Sequence, residues 1–146
     1  MRTLQWMGMV GGLLVLAAVT GCGESPSAVV EQLPGTWGGE MVVNEEGVVG
    51  KLSDAQIAQL RQMRMELDFQ SDGKLVLKGE NNGQPYVSEA HWELVNVQGD
   101  SITIKSIEEG LEEKMIDIHF EGKNDFTMPL KTERADIGAM KFRRLR

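Results

Sequence analysis

The chain has 146 residues, a single cysteine and a formal net charge of −7 at pH 7. Binding to nucleic acid requires clustered Lys and Arg, so an acidic chain of this kind is not expected to have a nucleic-acid partner. One cysteine excludes an intramolecular disulfide and a zinc site built from several thiolates. The length suits one domain with a modest core.

The N-terminus combines a weakly basic start, an apolar run and the only cysteine. Arg2 precedes an apolar stretch, residues 7–19, whose length of about 13 residues is too short to span a bilayer but suits a signal sequence. The stretch ends in Val19-Thr20-Gly21-Cys22. This motif resembles the lipobox of bacterial lipoprotein signals. The open alternative is an ordinary secretory signal in which the cysteine is incidental.

The lipobox resemblance implies cleavage between Gly21 and Cys22, and attachment of a diacylglyceryl group and an acyl chain to Cys22. It divides the chain into a signal peptide (1–21), a lipidated N-terminus with a tether (22–33) and a globular domain (34–146). All 22 acidic residues but only 14 of the 15 basic ones follow the cut, so the mature charge is −8. The expected location is the bacterial cell envelope, anchored through membrane lipid to the outer membrane and facing the periplasm.

One helix is predicted early in the globular domain. Ser53 is a good N-cap, and Gln56 three residues later completes a capping box. Leu52 and Ile57 flank the cap with the spacing of a hydrophobic staple. The helix has only a narrow apolar stripe, so it is expected either to act as a lid or simply to cover the core.

From Met65 onward the apolar period changes from about 3.6 to 2, which is typical of strands with one buried face. Short alternating segments are separated by turns that carry Gly, Asn or Asp. With the segment 37–43, the pattern predicts about eight strands in an all-β antiparallel meander or small barrel, with one short helix between the first and second strands. The predicted inner face comprises Met65, Leu67, Phe69, Leu75, Leu77, Trp92, Leu94, Ile102, Ile104, Ile116, Ile118, Phe120, Phe126, Met128, Met140 and Phe142.

Several short motifs resemble those of small lipocalin-like domains of uncharacterised function. They are the start Gly35-Thr36-Trp37, the turn Phe69 to Gly73, and the ending Phe142-Arg143-Arg144. The resemblance covers residues 33–146. It implies that Trp37 plugs one end of the barrel and that Arg143 or Arg144 packs across it, with a cation–π contact as the local interaction.

Candidate chemical groups are few. His91 and His119 fall on the outward phase of their strands, where solvated surface histidines are expected. Paired carboxylates, as at Glu45-Glu46, Glu108-Glu109 and Glu112-Glu113, fall in segments that are typical of solvated hairpin tips. No nucleophile elbow or phosphate-binding loop is present. The chain is therefore expected to be non-catalytic, with no metal site and no cofactor.

Two functions remain open at this level. The barrel could hold a small apolar ligand, with methionines providing adaptable walls. Alternatively, it could be a packed interaction or scaffold module that contacts another envelope protein. The ligand-binding residues are not identified by the sequence, because the same apolar inner face would serve a cavity or a filled core.

Overall fold

The computed structural model of the chain describes residues 26–81 and 83–146. Eight antiparallel strands form a closed barrel, in which each strand pairs with its neighbours in sequence and the first also pairs with the last. The all-β prediction is confirmed, and the sheet closes. The strands are β1 Gly35–Val43, β2 Arg64–Phe69, β3 Lys74–Asn81, β4 Gln84–Gln98, β5 Ser101–Glu108, β6 Lys114–Phe120, β7 Asp125–Lys131 and β8 Asp136–Arg144.

Three short helices accompany the barrel: α1 Pro26–Glu31, α2 Glu45–Val48 and α3 Asp54–Arg61. The predicted capping box of α3 is present, because the Ser53 hydroxyl accepts from the Gln56 backbone N–H at 3.2 Å and the Gln56 side chain accepts from the Ser53 N–H at 2.9 Å. The sequence predicted one helix between β1 and β2, and the structure has two. The extra helix, α2, has only four residues, which is too short to produce a recognisable helical period.

Helix α1 lies in the range that the sequence assigned to a tether, residues 22–33. Val29 and Leu33 are 3% and 0% exposed and belong to the core of the barrel. Their i, i+4 spacing brings both side chains to one side of the segment, and Pro26 suits the first turn of a helix. Within the range predicted to be a tether, Val29 and Leu33 therefore pack as part of the globular unit.

The connections between strands alternate between the two ends of the barrel. The plug end consists of α1 and the turns at 70–73, 99–100 and 121–124. The α3 end consists of α2, α3 and the connections at 82–83, 109–113 and 132–135. Among the described residues, no helix is long and apolar enough to cross a membrane.

The inner face is filled at the plug end. Trp37 lies 4.6 Å from Phe126 between ring centroids, and Phe126 stacks on Phe142 at 4.8 Å. Phe120 packs edge-on against Trp37 and Phe126, and all four rings are buried. Interlocked aromatic rings leave little space here, so this half of the barrel is a packed core.

The inner face is less complete at the α3 end. Met41 is buried in this half, but several other apolar side chains that point inward here are only partly buried: Met65, Leu77, Ile116, Met128 and Leu130. In addition, β6 and β7 pair only at His119–Thr127 and Phe120–Phe126, close to the plug-end turn. Pro129 lies in the part of β7 that has no partner on β6, and a proline cannot donate a ladder hydrogen bond.

Candidate functional site

A cavity of about 520 Å³ lies at the α3 end of the barrel. Its apolar wall is formed by Leu52, Leu60, Met63 and Ile137. Leu60, Met63 and Ile137 also pack against the core, so the cavity borders directly on the apolar interior. This volume falls in the range of about 300–1,000 Å³ that is typical of small-molecule sites.

The mouth of the cavity is polar and carries both signs of charge. Gln56, Gln59 and Gln62 contribute amides, while Arg64 and Glu80 contribute the charged groups. Residues 56, 59 and 62 follow a three-residue spacing from α3 into its C-cap, which places their side chains along one side of that segment. An apolar wall with a polar mouth is the arrangement expected of a site for an amphiphile.

Helix α3 covers this end of the barrel but is not buried in it. None of its eight residues, all of which the structure describes, is fully buried. An ion pair between Arg61 and Glu45 ties the end of α3 to α2 across the connection. Both side chains are more than half exposed, so the pair contributes little stability. Since few contacts hold α3, its displacement would require little energy.

Arg64 is the only cation among the described residues that line the cavity. Its guanidinium Nη1 donates to the backbone carbonyls of Arg61 at 3.1 Å and Met63 at 2.9 Å. Its Nη2 lies 3.8 Å from a carboxylate oxygen of Glu40. Two of its five N–H donors are therefore used within the protein, and Glu40 lies beside its positive charge.

A larger concavity, of about 930 Å³, lies on the outer face of the barrel above Gly38 and Gly39. Its side chains come mainly from the outward positions of β1, β2, β3 and β8 and are mostly charged. Many of these charges are paired, as in Lys78–Glu66 at 3.4 Å and Arg143–Asp125 at 3.2 Å. Exposed, mutually paired charges are typical of a solvated surface, so this groove is the weaker candidate for an apolar ligand.

The structure separates the two arginines of the predicted plug. The Arg144 guanidinium lies over the Trp37 ring, 4.2 Å from its centroid. Arg143 instead points outward, where its Nε donates to Asp125 at 3.2 Å. The two residues are adjacent in a strand, and side chains of successive residues lie on opposite faces of a sheet. Only Arg144 can therefore reach Trp37.

Arg144 also holds the chain that leads into β1. It donates to the carbonyl of Pro34 at 2.9 Å and to that of Gln32, just after α1. The Trp37 indole N–H donates to the Leu33 carbonyl at 2.8 Å. These contacts close the plug end with backbone and side-chain groups from both ends of the barrel sequence.

The remaining predicted sites are dispersed or lie outside the described residues. Gly21 and Cys22, the predicted cleavage and lipidation residues, lie outside the described residues. His91 pairs in register with Lys74 and Ile107, whereas His119 pairs with Ser101 and Thr127. The two histidines are thus on different strand pairs. Within residues 26–81 and 83–146, no three His, Cys, Asp or Glu side chains come together in a group that could hold a metal ion.

One titratable group on the outer face has a shifted pKa. Lys105 lies 3.3 Å from Glu93 and 3.7 Å from Glu113. The hydrogen bond to Glu93, with the negative charges of Glu113 and Glu93, raises the pKa of Lys105 above its usual value of 10.5. This cluster lies on the outward phase of β4 and β5, away from the cavity, and stabilises the charged lysine.

Sequence reasoning identified most of the inner face but not the cavity. Leu94, which was also predicted to lie on the inner face, is 43% exposed, because the pairing of β4 with β5 shifts its register between Leu94 and Asn96. The glutamines at the mouth lie on the polar side of α3, where they are indistinguishable from solvated residues. Ile137 lies in an irregular pairing between β7 and β8, so the period of two does not reveal its direction. The spacing of the glutamines at 56, 59 and 62 was the one available signal.

Comparison with known proteins gives a similarity among solved structures. No family model and no curated protein matches the chain. Among solved structures, the crystal structure of Echinococcus granulosus fatty-acid-binding protein 1 is similar, with 12% sequence identity and a TM-score of 0.44. The match covers 80% of this chain and 99% of that chain. At this identity, the similarity concerns the arrangement of the strands alone.

Proposed function

We propose that the chain is a non-catalytic lipoprotein of the bacterial cell envelope, anchored through Cys22, whose barrel binds a small apolar ligand at the α3 end. The observation that carries ligand binding is the cavity of about 520 Å³, whose wall residues Leu60, Met63 and Ile137 pack against the core but are only partly buried. Apolar surface left in contact with water is the driving force for binding an apolar molecule. The anchoring rests on the resemblance of residues 19–22 to a lipobox.

The cavity favours this function over a packed scaffold that contacts another envelope protein. A scaffold barrel has no need for unfilled space, and filling the α3 end with larger side chains would increase stability. The inner face instead carries Met65 and Met128 at this end, and methionine side chains adapt to ligands of different shape.

Ligand binding is tested by purifying the full chain from bacterial membranes and identifying co-purified molecules by native mass spectrometry. Leu60→Trp places a large ring in the cavity, whereas Val95→Trp adds the same ring at a half-exposed position outside the cavity. We expect a discrete apolar molecule with the wild type and with Val95→Trp, and its loss with Leu60→Trp. Recovery of only bulk membrane lipid from all three proteins would contradict the proposal.

The anchor is tested separately by Cys22→Ser. This substitution removes the thiol that the lipid requires, so we expect the acyl mass to disappear and the protein to leave the membrane fraction. Membrane attachment by two or three acyl chains is effectively stable, which makes the difference easy to detect. Unchanged membrane fractionation and an unchanged mass would refute lipidation.

The position of α1 gives the anchored barrel an orientation. Only residues 23–25 separate the lipidated cysteine from Pro26, and the four residue steps between them span at most about 14 Å. The plug end should then face the bilayer and the α3 end should face away from it. Fluorophores attached through Lys123→Cys and Glu112→Cys report on the two ends. Nitroxide lipids should quench the first more strongly, and equal quenching would contradict this orientation.

A further inference from the structure

We infer that the cavity selects single-chain amphiphiles with an uncharged head group and disfavours the fatty-acid anion of the same chain length. This inference rests on the proposed function, since it assigns a ligand class to the same cavity. Three features carry it: the chemistry of the barrel interior, the state of Arg64 and the carboxylate of Glu80.

The interior offers nothing that could receive a charged head. Among the described residues, the only buried polar side chains are Thr36 and Ser106, at 9% and 6% exposure, and none of the buried residues is ionisable. No buried side-chain nitrogen or oxygen in residues 26–81 and 83–146 lacks a hydrogen-bond partner. Burial of a carboxylate without a partner is strongly unfavourable, so the head group must remain at the mouth.

The mouth does not favour an anion either. The Arg64 guanidinium is already engaged by two backbone carbonyls and lies beside Glu40. Glu80 lines the same mouth, and no cationic side chain of the described residues lies within 4.0 Å of its carboxylate. A ligand carboxylate would meet the like charge of Glu80 there, and Glu40 would oppose its approach to Arg64.

An uncharged head meets no such obstacle. The Gln62 amide carries both donors and acceptors, and Gln56 contributes its NH2 donors while its oxygen accepts from the Ser53 N–H, so this mouth suits a hydroxyl, ester or amide group. The chain of the ligand would then lie along Leu60, Met63 and Ile137, while its head stays among the glutamines. This arrangement leaves the polar part partly hydrated and buries only the apolar part, which is the less costly division.

The test uses the full chain in phosphatidylcholine nanodiscs at pH 9, where a fatty-acid carboxyl is ionised. A 16-carbon alcohol carrying a photoreactive diazirine labels the protein, and peptide mass spectrometry locates the label. Unlabelled hexadecanol and palmitate then compete with the photoreactive alcohol for the protein. The amount of each competitor dissolved in the nanodiscs is measured, so that the two are compared at equal concentration in the bilayer. We expect hexadecanol to compete about tenfold better than palmitate.

Reversing the charge of Glu80 tests whether this carboxylate disfavours anionic ligands at the mouth of the cavity. Glu80→Lys should reduce the ratio of the competing affinity of hexadecanol to that of palmitate by about 1.5- to 5-fold. This reduction corresponds to the energy of one exposed charge pair. Glu89→Lys is the matched control, because Glu89 does not line the cavity and pairs with Lys74. It should leave the ratio unchanged.

The outcomes separate this inference from the proposed function. Labelling of the cavity peptides with equal or better competition by palmitate would overturn the selectivity while leaving apolar binding intact. An equal effect of Glu80→Lys and Glu89→Lys would overturn the role of Glu80. Absence of competable labelling at Leu60, Met63 and Ile137 would refute both the proposed function and the inference.

Discussion

Replacement of Arg144 by methionine should destabilise the barrel, because this residue closes the plug end. Its guanidinium stacks 4.2 Å from the centroid of Trp37 and donates to the carbonyls of Pro34 and Gln32. The cation–π contact is worth roughly 0.5–2 kcal/mol, and hydrogen bonds that involve a charged group are worth about 1.5–3 kcal/mol. Methionine retains much of the aliphatic packing, and the released carbonyls are only partly buried. We therefore expect a loss of about 2–3 kcal/mol.

Urea denaturation followed by tryptophan fluorescence measures this loss, since Trp37 is fully buried in the folded protein. Arg143→Met is the matched control, because the neighbouring side chain is 80% exposed and pairs only with Asp125 on the outer face. That exposed pair should contribute no more than about 1 kcal/mol. Equal losses for the two variants, or a larger loss for Arg143→Met, would refute the assignment of Arg144 to the plug.

Two further predictions concern the wall of the barrel. At Gly39, an added Cβ would lie 2.4 Å from the buried Phe142 ring, so Gly39→Ala should lower the free energy of unfolding by about 1–3 kcal/mol in urea denaturation. Gly38→Ala should lower it less, because the added Cβ meets only the flexible and exposed Leu145 at 3.2 Å. The reverse order of the two losses would contradict this packing. At Lys105, the raised pKa means that the ion cluster stabilises the fold below pH 10.5 and that this contribution is lost as the pH rises through the folded-state pKa. Lys105→Met should therefore show a shallower loss of stability in alkaline denaturation than Lys131→Met does, and identical profiles would contradict the linkage.

The wall of the barrel could be predicted because its determinants are local. The alternation of apolar and polar residues in β2, β5 and β6 directs side chains inward and outward, and glycine-containing turns separate the strands. Gly73, for example, has a φ of +92° in the turn between β2 and β3, where the Asp72 side chain accepts from the Lys74 N–H at 3.0 Å. These features act within a few residues of each other, so a sequence pattern records them.

Other features depend on contacts between distant segments. Val29 and Leu33 fall in a short stretch that resembles a tether, and only the presence of the plug end gives them a surface to bury. Arg143 and Arg144 are equivalent in type, and the choice between them depends on which face of β8 turns inward. Helix α2 is too short to show a period, although Asn44 caps it by accepting from the Gly47 N–H at 3.2 Å. Tertiary contacts decide each of these cases.

The difference in packing between the two ends of the barrel nevertheless follows from the positions of the aromatic residues along the sequence. All four phenylalanines of the chain lie in the plug half: Phe69 precedes the turn at 70–73, Phe120 and Phe126 flank the turn at 121–124, and Phe142 lies near the end of β8. In an antiparallel meander, alternate turns fall at the same end, so aromatic residues beside alternate turns must meet there. The inner positions of the other half carry mainly Met, Leu and Ile, which leave more space than interlocked rings do, and the Tyr86 ring in this half packs over Gly79 and is 38% exposed. The distribution of aromatic residues among alternate hairpin turns therefore predicts which end is filled, and hence which end can hold a ligand.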